Sequence, residues 1–405
     1  MKYSKKIFKY GVLLTLTLII GLNVYILITG RTYIYKAIEF TYLKGNIQPS
    51  IYETNEFNSR TVSKGKPHLW KEHPKLNTLK LSKKGLEYLE KFDPASFLIA
   101  WGDTLIFEQY WGEHNENKLG NSFSMSKSIV SLLIGSAIQD GYITSIDEPV
   151  ANYLDEFKTD DKQKITIRHL LTMSSGLSWD ESYISPFSDV AKLYYDTDAK
   201  ELTLNTRKVE DEPGRIFDYK SGDTQTLMYL LKSATQKSVS GYASEKIWSK
   251  IGAESDALWN LVGDNNSEEK SFCCLYATTR DFAKLGKLIN QNGKWDNEQL
   301  IDSNYVKEFK RLAPLQKKDG INNQCFGFHY WIYTGLPYQV SYYRGLRGQY
   351  IISIPKFDLV IVRTGSRTGP SWTNTATQTN NAMLGHKTDL PTYIEIALAV
   401  LSQIN

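Results

Sequence analysis

Ser124 and Lys127 stand three residues apart in the stretch 121–142, NSFSMSKSIVSLLIGSAIQDGY. Ile129, Val130, Leu132, Leu133, Ile134, Ala137 and Ile138 follow at helical spacing, so the pair heads a helix and shares one of its faces. A serine hydroxyl is a weak nucleophile until a base takes its proton. Lysine can be that base where burial or a nearby cation lowers its pKa. The free N–H groups and positive dipole end of a first turn favour an oxyanion. The letters S-x-x-K begin at Ser63, Ser124, Ser267 and Ser353, and only Ser124 opens a long apolar helical run. The alternative is a solvated lysine in an ordinary first turn. A helix this apolar belongs in a core, where a lysine needs a reason.

A second cluster, FDYKSGDTQTLMYLL at 217–231, places Tyr219, Lys220 and Ser221 before another apolar helix. A tyrosine held against Ser124 and Lys127 could relay a proton to a leaving group. Trp179, Asp180 and Glu181 follow a Ser-Ser-Gly turn. They read as solvated loop residues, with a place at a pocket rim as the alternative. His169 reads as a helix residue with a structural hydrogen bond, and His329 as either cleft-lining or packed. Neither a metal nor a nucleotide is implied, since H-E-x-x-H, a phosphate loop and paired Cys/His sets are all missing.

Elements able to position these groups come from both ends of the chain. Residues 81–92 form a short amphipathic helix, and 96–112 read as two strands around a Gly-Asp turn. YQVSYYRG, RGQYIISIP and FDLVIVRTG are three late strands, and 390–404 is a closing helix. Tight turns between neighbouring strands favour antiparallel pairing. The expectation is an α+β fold: a five-stranded antiparallel sheet flanked by terminal helices, with a large, mostly helical insertion between about 122 and 315.

The net charge of +4 is unevenly placed: residues 1–45 carry seven basic side chains against Glu39, leaving the remainder at −2. A mildly acidic body gives no electrostatic reason to bind nucleic acid. Residues 11–29 are an uncharged apolar run of 19, preceded by four lysines. That length crosses a bilayer, and the flank favours a cytoplasmic N-terminus. A signal peptide is the rival, but the run exceeds a typical h-region and lacks a small-x-small cleavage site. The chain divides on this reading into a cytoplasmic 1–10, an uncleaved transmembrane anchor 11–29, a linker 30–75 that wraps onto the body, and a domain 76–405 outside the cytoplasm. Cys273, Cys274 and Cys325 are the cysteines. Outside the cytoplasm Cys325 could pair with Cys273 or Cys274, the alternative being three small buried side chains.

Five stretches, in order, carry a resemblance: SFSMSKSIVSLLIG, ITIRHLLTMSSGLSWDE, EPGRIFDYKSGDTQTL, ATTRDFAKLGKLINQNGKW and RGLRGQYIISIPKFDLVIVRTG. Together they resemble the serine β-lactamase-related family, which spans class C β-lactamases, D-alanyl-D-alanine carboxypeptidases and family VIII esterases. Within it the chain looks most like the nylon-oligomer (6-aminohexanoate-dimer) hydrolase branch. The resemblance implies the β-lactamase/transpeptidase-like fold, no cofactor, and a covalent acyl-enzyme. Ser124 would be acylated, Lys127 would activate it, and Tyr219 would be the second proton carrier. Ser221 would hydrogen-bond Lys127 or the substrate. The third family element falls on Tyr343, Arg344 and Gly345 as substrate-binding residues, with the N–H of Leu346 completing an oxyanion hole beside that of Ser124. A shifted alignment puts Gln349 there instead, and Arg363-Thr364-Gly365 reads as structural. Tyr343 lacks the charge that lactam-processing relatives use for a substrate carboxylate, though Arg344 could supply one. Amide or ester hydrolysis of a small substrate is therefore favoured over a β-lactamase or carboxypeptidase, and a non-catalytic sensor is the reading from another class. No glutamate is assigned as a deacylating base, so water activation falls to Tyr219 and Lys127.

Overall fold

Side chains alternate sides along the late strands, and both sides are apolar, so the sheet needs cover on each face. The computed structural model describes residues 2–45, 48–76, 78–375 and 379–404. Its main sheet uses β1 (Lys71–Glu72), β2 (Pro94–Trp101), β3 (Thr104–Tyr110), β4 (Trp331–Tyr333), β5 (Val340–Gly345), β6 (Gln349–Ile354) and β7 (Leu359–Gly365). The order across it is β4-β5-β6-β7-β2-β3-β1. The expected five antiparallel strands are β2, β3, β5, β6 and β7. The sheet is nonetheless seven-stranded and mixed: β4 adds an antiparallel edge and β1 a parallel one. Both additions are only two or three residues long, too short to show a period-2 pattern.

Seven helices place the site: α1 (Lys2–Ile28), α2 (Tyr33–Phe40), α3 (Met125–Gln139), α4 (Asp189–Tyr195), α5 (Ser221–Thr235), α6 (Thr279–Asn290) and α7 (Leu390–Leu401). Leu98, Ile351, Val360 and Val362 meet α3 and α6 on one face, while Phe97, Ile99, Ile352 and Ile361 meet α7 on the other. α3 is buried along almost its whole length. Gly135 is required there, because a Cβ would lie 2.5 Å from both Ile301 and Tyr305.

The span 30–75 is built into the body. α2 packs with Phe57, Leu193, Tyr194 and Phe272, and Ser59–Val62 pairs antiparallel with Ala257–Asn260 at the edge of a second, four-stranded sheet. Among the described residues, α1 contains one run, Lys5–Ile28, long and apolar enough to cross a membrane by length and composition, and it is almost wholly exposed.

Cys325 does not pair with either of the other cysteines. Cys273 bonds its neighbour Cys274, and Cys325 is a free, buried thiol. It packs against Gly385 and its Sγ lies 3.7 Å from Asn323 Oδ1, where burial pushes its pKa up.

Candidate active site

Ser124 occupies the N-cap position of α3, yet its side chain caps nothing. The residue before it, Phe123, has φ +43°, a strained value for a non-glycine side chain, and its N–H donates to Asn121 Oδ1 at 2.8 Å. The turn leaves Ser124 Oγ facing a pocket and its N–H without a partner among the described residues. One turn on, Lys127 Nζ donates to Ser124 Oγ at 3.0 Å and to the Phe272 carbonyl at 2.7 Å. Lys127 is 2% exposed. Burial pulls its pKa down to about 8, and the negative charge of Glu181 pushes the other way.

Tyr219 lies just ahead of α5, its ring centroid 5.3 Å from Lys127 Nζ. Its hydroxyl interacts with Ser124, and burial followed by the Glu181 charge raises its pKa, so the phenol keeps its proton. The structure thus brings Ser124, Lys127 and Tyr219 together.

Ser221 belongs to the same pocket but does not bond Lys127. Its N–H and hydroxyl both donate to the Glu181 carboxylate, at 2.7 and 2.6 Å. Trp179 Nε1 and the Tyr183 hydroxyl donate to it as well. Glu181 is therefore no solvated loop residue. The loop that carries it is pinned from beneath by a buried Arg207–Asp223 pair at 2.6 Å, with Arg207 Nε donating to the Ser178 carbonyl. Tyr183 exposes nearly half its surface, with its hydroxyl donating to Glu181. The sequence offers one signal for this cluster: aromatic residues on either side of the acidic pair Asp180-Glu181 in WDESY.

The third element is only partly in place. Along β5, Tyr343 and Gly345 share one face and Arg344 takes the other. Tyr343 does not reach the pocket: it is fully buried in the core, edge-on to Tyr330, with its hydroxyl directed at the Leu285 carbonyl. Arg344 stacks over Trp331 at 3.3 Å and donates to the Gly385 carbonyl, near enough to Tyr219 to influence it. Gly345 lies against the nucleophile turn, where a Cβ would come within 2.2 Å of the Ser122 carbonyl oxygen. Leu346 lines the pocket, and its N–H has no partner among the described residues. Gln349 is structural, donating to the Leu346 and Gly365 carbonyls at 2.9 and 2.7 Å. Arg363 is structural too, holding the carbonyls of Arg347 and Gly348.

The histidines are accounted for by packing. His169 forms a capping box with Thr166, and the buried ring of His329 faces the carbonyls of Lys127 and Leu170. Among the described residues no group of His, Cys, Asp and Glu could hold a metal ion.

Ser124 and Lys127 line one pocket, with the Tyr219 ring against Lys127, beside the main sheet of an α+β fold, an arrangement suited to serine hydrolysis. The beta-lactamase family model matches residues 90–383, and the chain belongs to that family. It is 22% identical over 300 residues to the 6-aminohexanoate-dimer hydrolase of Paenarthrobacter ureafaciens, covering 70% of this chain and 75% of that protein. An uncharacterized protein of Alkalihalophilus pseudofirmus is 25% identical over 312 residues, covering 66% and 82%. A Bacillus anthracis structure, provisionally named a 6-aminohexanoate-dimer hydrolase, superposes with a TM-score of 0.71 at 21% identity, over 87% of this chain and 93% of that one. A family VIII carboxylesterase does so with a TM-score of 0.60 at 16% identity, over 82% and 99%. At these identities the solved structures speak to the fold, which is β-lactamase/transpeptidase-like.

Proposed function

We propose that the protein is a membrane-anchored hydrolase that cleaves an amide or ester bond of a small substrate through an acyl-enzyme on Ser124. The observation that carries this is the 3.0 Å contact between Lys127 Nζ and Ser124 Oγ inside a pocket. With a pKa near 8, about one-tenth of Lys127 is neutral at pH 7. The neutral amine takes the proton from Oγ as Oγ bonds to the carbonyl carbon. The oxyanion that forms is held by the N–H groups of Ser124 and Leu346. Tyr219, which keeps its proton, gives it to the leaving nitrogen or oxygen as the carbonyl bond breaks, and is reprotonated from the Lys127 ammonium. Water then attacks the acyl carbon, losing a proton to the same pair, and that proton passes to Ser124 Oγ as its bond to the carbon breaks and the acid leaves. Glu181 positions Ser221 and Tyr183 beside this centre.

Residues 11–29 cross the membrane in this reading, 1–10 face the cytoplasm, and 76–405 work on the outer side. A fluorophosphonate probe tests the chemistry: wild type is labelled and Ser124→Ala is not. Equal labelling of both, or none where a control hydrolase is labelled, contradicts it. A reporter fused at the C-terminus tests the topology, being active only outside the cytoplasm.

A further inference from the structure

The end of α1 and the mouth of the pocket are one structure. α1 ends at Ile28 and α2 begins at Tyr33, a link that spans no more than about 15 Å. α2 and the turn after it then supply Ala37, Thr41 and Tyr42 to the same pocket that holds Ser124 and Lys127. Ile26, inside α1, is buried in one cluster with Tyr33, Ala37, Leu193 and Tyr194. Three contacts tie α1 and its link to the rim. The Tyr25 ring meets Phe187, Arg31 Nη1 donates to the Phe187 carbonyl at 3.2 Å, and Tyr35 donates to Asn23 Oδ1 at 2.7 Å.

Exposed apolar side chains stand around the pocket mouth, alongside the polar Gln48, Ser182 and Ser185. Ile184 is 90% exposed, Leu43 76% and Tyr42 58%, with Phe187 and Tyr183 beside them also exposed. Inside, the buried Val190, Tyr195 and Phe272 continue the apolar lining toward Ser124. A contiguous exposed apolar patch marks contact with another apolar phase, and tyrosines gathered at the end of a span suit the membrane interface.

We infer that the pocket opens onto the outer membrane surface and takes a membrane-resident amphiphile: an acyl chain joined by an ester or amide bond to a polar group. The inference rests on the hydrolase and anchor assigned above, and names their substrate class. The chain enters past Tyr42 and Ile184 and lies along Val190 and Tyr195, bringing the carbonyl carbon to Ser124 at headgroup depth. Ser124 Oγ bonds to that carbon, the bond to the polar group breaks with Tyr219 protonating the leaving atom, and water releases the fatty acid.

The test uses the full chain in phosphatidylcholine vesicles, with p-nitrophenyl acetate as the soluble probe and p-nitrophenyl palmitate carried in the bilayer. The expected result is kcat/KM at least tenfold higher for the palmitoyl ester. Leu43→Asp, at an exposed site outside the pocket lining, is expected to keep acetate turnover and lose palmitate turnover tenfold or more. Acetate and palmitate turned over within threefold of each other, or Leu43→Asp leaving both rates unchanged, overturns the inference while the hydrolase stands. No turnover of either ester together with no fluorophosphonate labelling removes the hydrolase itself. Turnover by a chain that does not float with the vesicles removes the anchor, and the inference with it.

Discussion

Ser221 gives Glu181 two hydrogen bonds, one from its N–H at 2.7 Å and one from its hydroxyl at 2.6 Å. The carboxylate so held lies close enough to favour the charged form of Lys127 and the neutral form of Tyr219. Glu181 thus ties the geometry of the pocket wall to the protonation of the two groups that move protons.

Glu181→Gln removes a charge without removing bulk. Bonds to a charged acceptor are worth roughly 1.5–3 kcal/mol each, so kcat/KM should fall about 10- to 100-fold. The pH profile should move as well. The Glu181 charge raises the pKa of Lys127, so its loss lowers that pKa and shifts the rising limb of the profile to lower pH. Steady-state rates across pH on a p-nitrophenyl ester check both effects. A variant with the wild-type profile contradicts the assigned coupling.

In the wild type, burial sets Lys127 near 8, and the base form is the active one. Activity should therefore rise through about pH 8 and level off above it. Tyr219 has its pKa raised, so it still holds its proton there and no alkaline-side loss arises from it. A profile already flat between pH 6 and 9 would mean that Lys127 is not the base.

The lowered pKa also fixes a stability effect. Lys127 falls from 10.5 unfolded to about 8 folded, so its protonation opposes folding. The cost is constant below pH 8, fades as pH rises to 10.5, and corresponds to about 3 kcal/mol before lost hydrogen bonds are subtracted. Lys127→Met should be inactive yet melt at or above the wild-type temperature at pH 7, with the advantage shrinking by pH 10. Thermal unfolding at the two pH values measures it.

Much of this was legible in the letters because the elements concerned are long and strongly patterned. The apolar run behind Ser124 predicts a buried helix, and α3 is one. The strands at 96–112 and 340–365 have the expected antiparallel pairing. What the letters hide depends on contacts between distant segments. Glu181 looks like a loop acid until Ser221, forty residues on, closes over it. Tyr343 looks like a binding residue until the register of β5 turns it into the core beside Tyr330. Cys325 could not be separated from the adjacent pair by spacing alone, since only the fold sets it against Gly385. Nor does composition reveal that the segment after α1 lines the pocket.

Gly345 offers a test of the third element that does not touch the nucleophile. An alanine Cβ would meet the Ser122 carbonyl at 2.2 Å, so Gly345→Ala must push β5 away from the turn that carries Ser124. A displacement of about 1 Å at a reacting centre can cost on the order of 100-fold. Activity should fall by that order, while far-UV circular dichroism stays close to wild type.

Hydrolysis by this mechanism passes through a covalent intermediate at a single hydroxyl. Full-length protein mixed with a p-nitrophenyl ester, quenched in acid within the first turnovers, digested and analysed by mass spectrometry should carry the acyl mass on the peptide containing Ser124. Ser124→Ala should carry none and should not turn over the ester. An acyl group found on another residue, or wild-type hydrolysis by Ser124→Ala, would contradict the claim.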